Sequence, residues 1–183
     1  MLPLLLPVLP NDCPNPGGVR ALRVWPAANV TIPLYTGVSL GTPIVVRDPG
    51  NYADVYFLPD SAGFSEPAAL DAQGDYYKPS LQLAVAHDAP DLAEALARLS
   101  RVRFFVAAYA DNNGLTKLVG TPACPLRFSA DLDTGKRPLD RNGYAISFAG
   151  LTPERAPFYL AQEVVTPIPR RRAFSAGFSF GFS

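Results

Sequence analysis

Few residues in this chain could do chemistry, and their spacing decides what kind. His87 is the only histidine. Ser-His-Asp catalysis would have to use it with the adjacent Asp88, yet no GxSxG elbow accompanies the pair. Packing at a helix entry, or plain solvent exposure, is the expected role. Asp131 and Asp133 are two apart, which on a strand places both carboxylates on one face, the spacing of a metal or acid/base pair. Strand ends are also rich in Asp for backbone capping, and that reading is preferred here. Asp111-Asn112-Asn113-Gly114 has the composition of a calcium loop but lacks the Dx[DN]xDG spacing and the terminal Glu, so it reads as a turn. Cys13 and Cys124 are two thiols without a CxxC or Cys/His cluster, expected to stay reduced, and ordinary zinc ligands are too few. Arg103 beside Phe104 and Phe105 is the nearest approach to a base-stacking platform, and both rings are expected in the core. GxGxxG and GxxxxGK[ST] phosphate loops are missing. The expectation is a protein that is not an enzyme and takes no cofactor or metal.

The remaining chemistry shapes backbone. Asp111-Asn112-Asn113-Gly114 and Asp140-Arg141-Asn142-Gly143 read as turns, with Gly114 and Gly143 at positive or otherwise glycine-favoured φ. They bracket the best-organised part of the chain. Asp88 is placed as the N-cap of a helix over 89–100, with Pro90 and Asp91 in its first turn. Leu92, Ala95, Leu96 and Leu99 fall on one face, and Glu94 and Arg98 form an i,i+4 pair. Burying three leucines would stabilise by roughly 5 kcal/mol before ordering costs. An antiparallel meander follows: Val102 to Ala110, Leu115 to Gly120, Leu126 to Leu132, and Tyr144 to Ala149 with Tyr144, Ile146 and Phe148 on one face. Before the helix, strands are expected at 19–25, at 29–35 broken by Pro33, at 44–46, at 53–58, and at 80–85 with Leu81, Leu83 and Val85 sharing a face. Residues 59–75 read as loop, and 153–162 as irregular or briefly helical.

Composition sets the class. A chain of 183 residues fits one domain, and 48% hydrophobic with 17% charged residues excludes wholesale disorder. Twenty prolines favour short strands and many loops. Net charge is zero, against bulk electrostatic binding of nucleic acid. The charge is uneven: after Glu163 there is no acid, and Arg170, Arg171 and Arg172 stand together, leaving the rest of the chain at −3. The fold class expected is mainly β (α+β), an antiparallel β-sandwich or barrel with one flanking α-helix and extended terminal arms.

Three regions follow. Residues 1–18 form an arm whose opening, MLPLLLPVLP, is too short to span a bilayer and carries three prolines. It is expected to lie polyproline-like in a groove, with Leu4, Leu5 and Leu6 as contacts. Residues 19–169 form the domain. Residues 170–183 form an Arg/Phe-rich tail, with Phe174, Phe178, Phe180 and Phe182 among small residues, expected to add to a sheet edge or fill a partner's pockets. No stable membrane insertion and no specific nucleic-acid recognition are expected.

The order of segments NDCPNPGGVRALRVWP, YYKPSLQLAV, VRFFVAAYADNNGLTKLVGT, LRFSADLDTG and DRNGYAISFAG resembles small tail-associated structural proteins of Bacteroidetes-type phages and prophages. The pieces that carry the resemblance most are NPGG at Asn15 to Gly18, the hairpin at 111–121 and DRNGY at 140–144, together spanning about 130 residues. The resemblance implies a subunit of a tail or injection apparatus, tube-like or tube-adjacent. It would be made in the host bacterial cytoplasm, found in the virion, and assembled as a homo-oligomeric ring, a hexamer, with other tail proteins. It carries no catalytic residues. The alternative class is a secreted β-sandwich that binds carbohydrate or protein, with the Leu-rich start as a degenerate export signal.

Overall fold

The computed structural model describes residues 15–35, 37–71, 74–137 and 142–161. Leu4, Leu5, Leu6, Cys13, Asp140, Arg141, Arg170, Arg171, Arg172, Phe174, Phe178, Phe180 and Phe182, and with them residues 1–14 of the expected N-terminal arm and the whole expected C-terminal tail, lie outside the described residues.

Among the described residues the chain is mainly β with one α-helix and a 3-10 turn at Ala27–Asn29, as the expected class requires. Its strands are β1 (Val19–Pro26), β2 (Val30–Thr31), β3 (Ser39–Leu40), β4 (Val45–Val46), β5 (Ala53–Asp54), β6 (Gly63–Ser65), β7 (Ala68–Asp71), β8 (Gly74–Tyr77) and β9 (Ser80–Ala86). Helix α1 (Pro90–Val102) follows. The chain then forms β10 (Phe104–Asp111), β11 (Thr116–Val119), β12 (Leu126–Asp133), β13 (Gly143–Ala149) and β14 (Phe158–Tyr159). The expected loop at 59–75 therefore contains strands. Its proline- and glycine-rich composition marks short strands and tight connections rather than their absence.

β1 pairs antiparallel with β10 from Val19↔Asp111 to Pro26↔Phe105, and on its other edge with β5. The far edge of β10 is shared. β11 takes Ala107 to Ala110 and β12 takes Phe104 and Phe105. β12 continues against β13, β13 against β9, and β9 against β6. β5 and β6 belong to one segment, 53–65. Its backbone bonds β1 (Val55 N to Leu22 O, 2.9 Å; Val19 N to Ala62 O, 3.0 Å) and β9 (Leu58 N to Ala84 O, 2.9 Å). The sheet thus curls until this segment bridges β1 to β9, and the barrel alternative describes it better than a two-sheet sandwich. The part after the helix is not a simple meander, because β13 pairs with β9, which precedes the helix.

The near-continuous apolar run of β10 has its cause in this topology. Strands buried on both faces lose the alternation of a half-exposed strand. Phe105, Ala107 and Tyr109 point into the curl, where Leu22, Val24, Leu81, Phe128, Ile146 and Phe148 meet them. Val106 and Ala108 face the opposite side, under Trp25, Leu40, Ile44, Leu118 and Tyr159. Phe105, Phe128 and Phe148 form an aromatic cluster with centroids 5.2 to 6.1 Å apart, two of the three pairs edge-on, the geometry that ring quadrupoles favour. Phe104, by contrast, is exposed, so only one ring of the expected core pair is in the core.

Helix α1 begins with Pro90 in its first turn, and the Glu94–Arg98 pair closes at 2.6 Å. It runs through Val102, so β10 starts two residues later than expected. Ala89, not Asp88, occupies the cap position, without a side-chain capping bond. Asp88 Oδ1 instead accepts the Tyr144 hydroxyl at 2.6 Å and ties the helix entry to β13. His87 precedes it at φ 68° with its N–H donated to Asn142 O, a left-handed turn that histidine tolerates better than most residues. Arg103 closes the helix at φ 66°, its N–H returning to Leu99 O.

Gly114 has φ 85°, as a turn glycine should. Gly143 does not. It opens β13 opposite Ala86, outside positive φ, and an added Cβ there would press into the Val85 carbonyl. It is glycine because two backbones approach closely, which corrects its reading as a turn residue.

Candidate functional site

The sequence-selected chemical residues are not brought together. His87 is exposed at its turn. Asp131 and Asp133 stand exposed on β12, and Asp133 Oδ1 accepts Gly135 N–H at 2.9 Å, a local turn bond. Asp111 Oδ1 accepts the N–H groups of Asn113 and Leu115, so the segment read as a turn is an Asx-type turn. Cys124 is half-buried in a connection where Thr121 Oγ1 accepts its N–H. Among the described residues, no three His, Cys, Asp or Glu side chains group as a metal site. Nor is any helix long and apolar enough to cross a membrane.

Two of the motifs do meet. Asn112 Nδ2 donates to Gly17 O at 2.5 Å, and Asn113 Nδ2 donates to Asn15 Oδ1 at 2.8 Å. The NPGG entry is thereby pinned on the 111–114 turn, with Gly18 at φ 97° making the bend. This juxtaposition is a clasp between loops, without a titratable pair poised for reaction.

The most site-like feature is a cleft of about 560 Å³ between α1 and segment 51–56. Its floor is Val24, Leu96, Phe105, Ile146 and Phe148. Leu92, Leu99 and Val102 form the helical wall, and Tyr52 and Tyr56 stand at the mouth. That volume lies within the usual range for ligand pockets, and the lining is mostly apolar with a few polar groups. Of the leucine stripe on α1, Leu96 is buried, whereas Leu92 and Leu99 are only partly buried. The helix stabilises the sheet by less than three buried leucines would, because the cleft lies where further packing would be.

The opposing wall is held by polar bonds. Asp54 receives Arg23 through Nε (2.5 Å) and Nη2 (2.9 Å), a two-pronged pair on mostly buried side chains. The hydrogen bond to Asp54 raises the Arg23 pKa above its ordinary value despite partial burial. The guanidinium also lies 4.4 Å from the centre of the Tyr52 ring. Asn29 is buried and staples the same loop: its amide donates to Asp48 O and Asn51 O, and its Oδ1 accepts Asp48 N–H at 2.8 Å. Sequence reasoning missed all three roles. Their partners are 19 to 31 residues away, and no local pattern announces them.

A second, shallower opening of about 580 Å³ is lined by residues 30–35, Arg47, residues 121–123 and Glu154. It sits beside the outer strands. β14 pairs with β11 and lies parallel to β3, which ends the sheet among the described residues. Along this flank Leu34 is fully exposed, Val38 is 76% exposed and Leu160 is 60% exposed. No family model matches the chain, and no curated protein or solved structure matches it either.

Proposed function

We propose that this chain is a structural subunit of a phage tail or related injection apparatus, tube-like or tube-adjacent, that assembles into homo-oligomeric rings. The observation that carries the reading is the outer flank of the sheet. Among the described residues β3 ends the sheet, flanked by exposed Leu34, Val38 and Leu160. Such an edge is a hazard in a lone subunit and a junction in an assembly. The overall neutral charge puts little repulsion in the way of association. The resemblance of the NPGG, 111–121 and 140–144 segments to phage tail proteins supplies the context.

Electron microscopy and light scattering of the purified chain test this. Rings or stacked tubes are expected, and Val38→Lys should reduce them while leaving the circular dichroism spectrum intact. A monodisperse monomer at high concentration would overturn the reading. The cleft beside α1 favours the second reading, a secreted binding module. Its apolar lining suits a protein or peptide guest better than a carbohydrate.

A further inference from the structure

We propose that the cleft beside α1 receives the phenylalanine-rich C-terminal segment of a second copy of this chain. The inference rests on the assembly reading above and gives it a specific contact. An apolar cavity of roughly 150 Å³ holds one benzene-sized ring. A cleft of about 560 Å³ therefore has room for about three. The chain carries three phenylalanines at alternate positions, Phe178, Phe180 and Phe182, separated only by Ser and Gly.

The lengths agree. In an extended segment three alternate side chains span roughly 13 Å. Leu92 and Val102 both line the cleft, and ten helical residues advance roughly 15 Å. The floor offers Phe105 and Phe148, rings against which edge-on phenyl contacts form. Charge agrees at the helix start, where Asp88 and Asp91 stand near the cleft's end while Glu94 is paired with the cleft-lining Arg98, and Arg170, Arg171 and Arg172 precede the phenylalanines. The chain beyond Ala161 has 22 residues, with an extended reach of roughly 70 Å, enough to arrive at a neighbour.

Complementation between two full-length variants tests the contact. Ala95→Trp, at the cleft wall, leaves a chain that can donate its segment but not accept one. Phe178→Ser, Phe180→Ser and Phe182→Ser together leave a chain that can accept but not donate. Each alone should form smaller species than the intact chain by analytical ultracentrifugation, and an equimolar mixture should regain larger ones that shrink at high salt. Tyr56→Lys, at the exposed mouth, serves as a second blocking variant where Ala95→Trp fails to fold by circular dichroism. If the intact chain and both variants all assemble alike, the cleft contact is overturned while the assembly reading stands. A mixture that regains no larger species also overturns it. A monomeric intact chain overturns both.

Discussion

Gly114 and Gly143 are both glycines for steric reasons, but the reasons differ and can be separated by substitution. At Gly114 the constraint is φ alone, since nothing lies within 4 Å of an added Cβ. Gly114→Ala should cost about 1–2 kcal/mol, and Gly114→Asn should recover part of it, because asparagine visits the left-handed region more easily. At Gly143 the constraint is the neighbouring backbone, which cannot rotate away. Gly143→Ala should cost about 1–3 kcal/mol through overpacking, and Asn should be no better than Ala. Chemical denaturation of the four variants decides it. Tyr109 gives a second residue-scale prediction. Burial, then Asp111 and Glu66, push its pKa well above the ordinary value. A raised folded pKa means that the unfolded state loses its proton first. The stabilising effect is complete below about pH 10 and falls by up to about 1.4 kcal/mol per pH unit above it. Tyr109→Phe should flatten the alkaline part of the stability profile between pH 10 and 12 relative to the intact chain. Equal slopes would show that Tyr109 ionises as freely folded as unfolded. Turn chemistry at Asp111 to Gly114 was legible in the sequence because it is local. Gly143 was not, because the backbone that excludes its Cβ comes from a strand 57 residues earlier.

At the scale of elements, α1 and the strands it meets show what periodicity encodes. The stripe of Leu92, Leu96 and Leu99 was readable, and all three join the cluster that holds Phe105, Ile146 and Phe148. The depth of burial was not, because a helical stripe states which face turns inward but not how closely the opposite wall stands. That wall is set by the Arg23–Asp54 pair and the Asn29 staple, which join residues far apart in sequence. The Asp88 cap also misled. Asp, Pro and an acidic first turn fit a helix start, but the carboxylate satisfies a tyrosine across the cleavage between elements rather than its own helix. Leu96 is the one stripe residue fully in the core, so Leu96→Ala should destabilise by about 2–5 kcal/mol. Leu92→Ala and Leu99→Ala should cost visibly less, since each already borders open space. Thermal melts of the three variants check the order. Equal losses would mean that the cleft is filled in solution.

At the scale of the whole molecule, the described residues of the curled sheet build two apolar clusters, one inside the curl and one on its outer face. Among the described residues, the buried side chains of both clusters come from residues 19–159. The segment 170–183 has four phenylalanines and three arginines among small residues. Alone it buries too little to offset the entropy of ordering its backbone, roughly 1–2 kcal/mol per residue. Each phenylalanine placed in a pocket would return roughly 1.5–3 kcal/mol, so ordering becomes favourable only against a surface that takes several at once. Deleting 170–183 therefore separates folding from assembly. The truncated chain should keep its circular dichroism spectrum and its melting temperature, because the deleted segment contains none of the described core residues. Its sedimentation coefficient should fall to that of a single subunit at concentrations where the intact chain associates. The intact chain should move toward the same value as salt rises, since Arg170, Arg171 and Arg172 would lose their attraction for acidic groups across the contact. A truncated chain that associates as the intact one does, or that fails to fold, would remove the segment from any role as an intersubunit clasp.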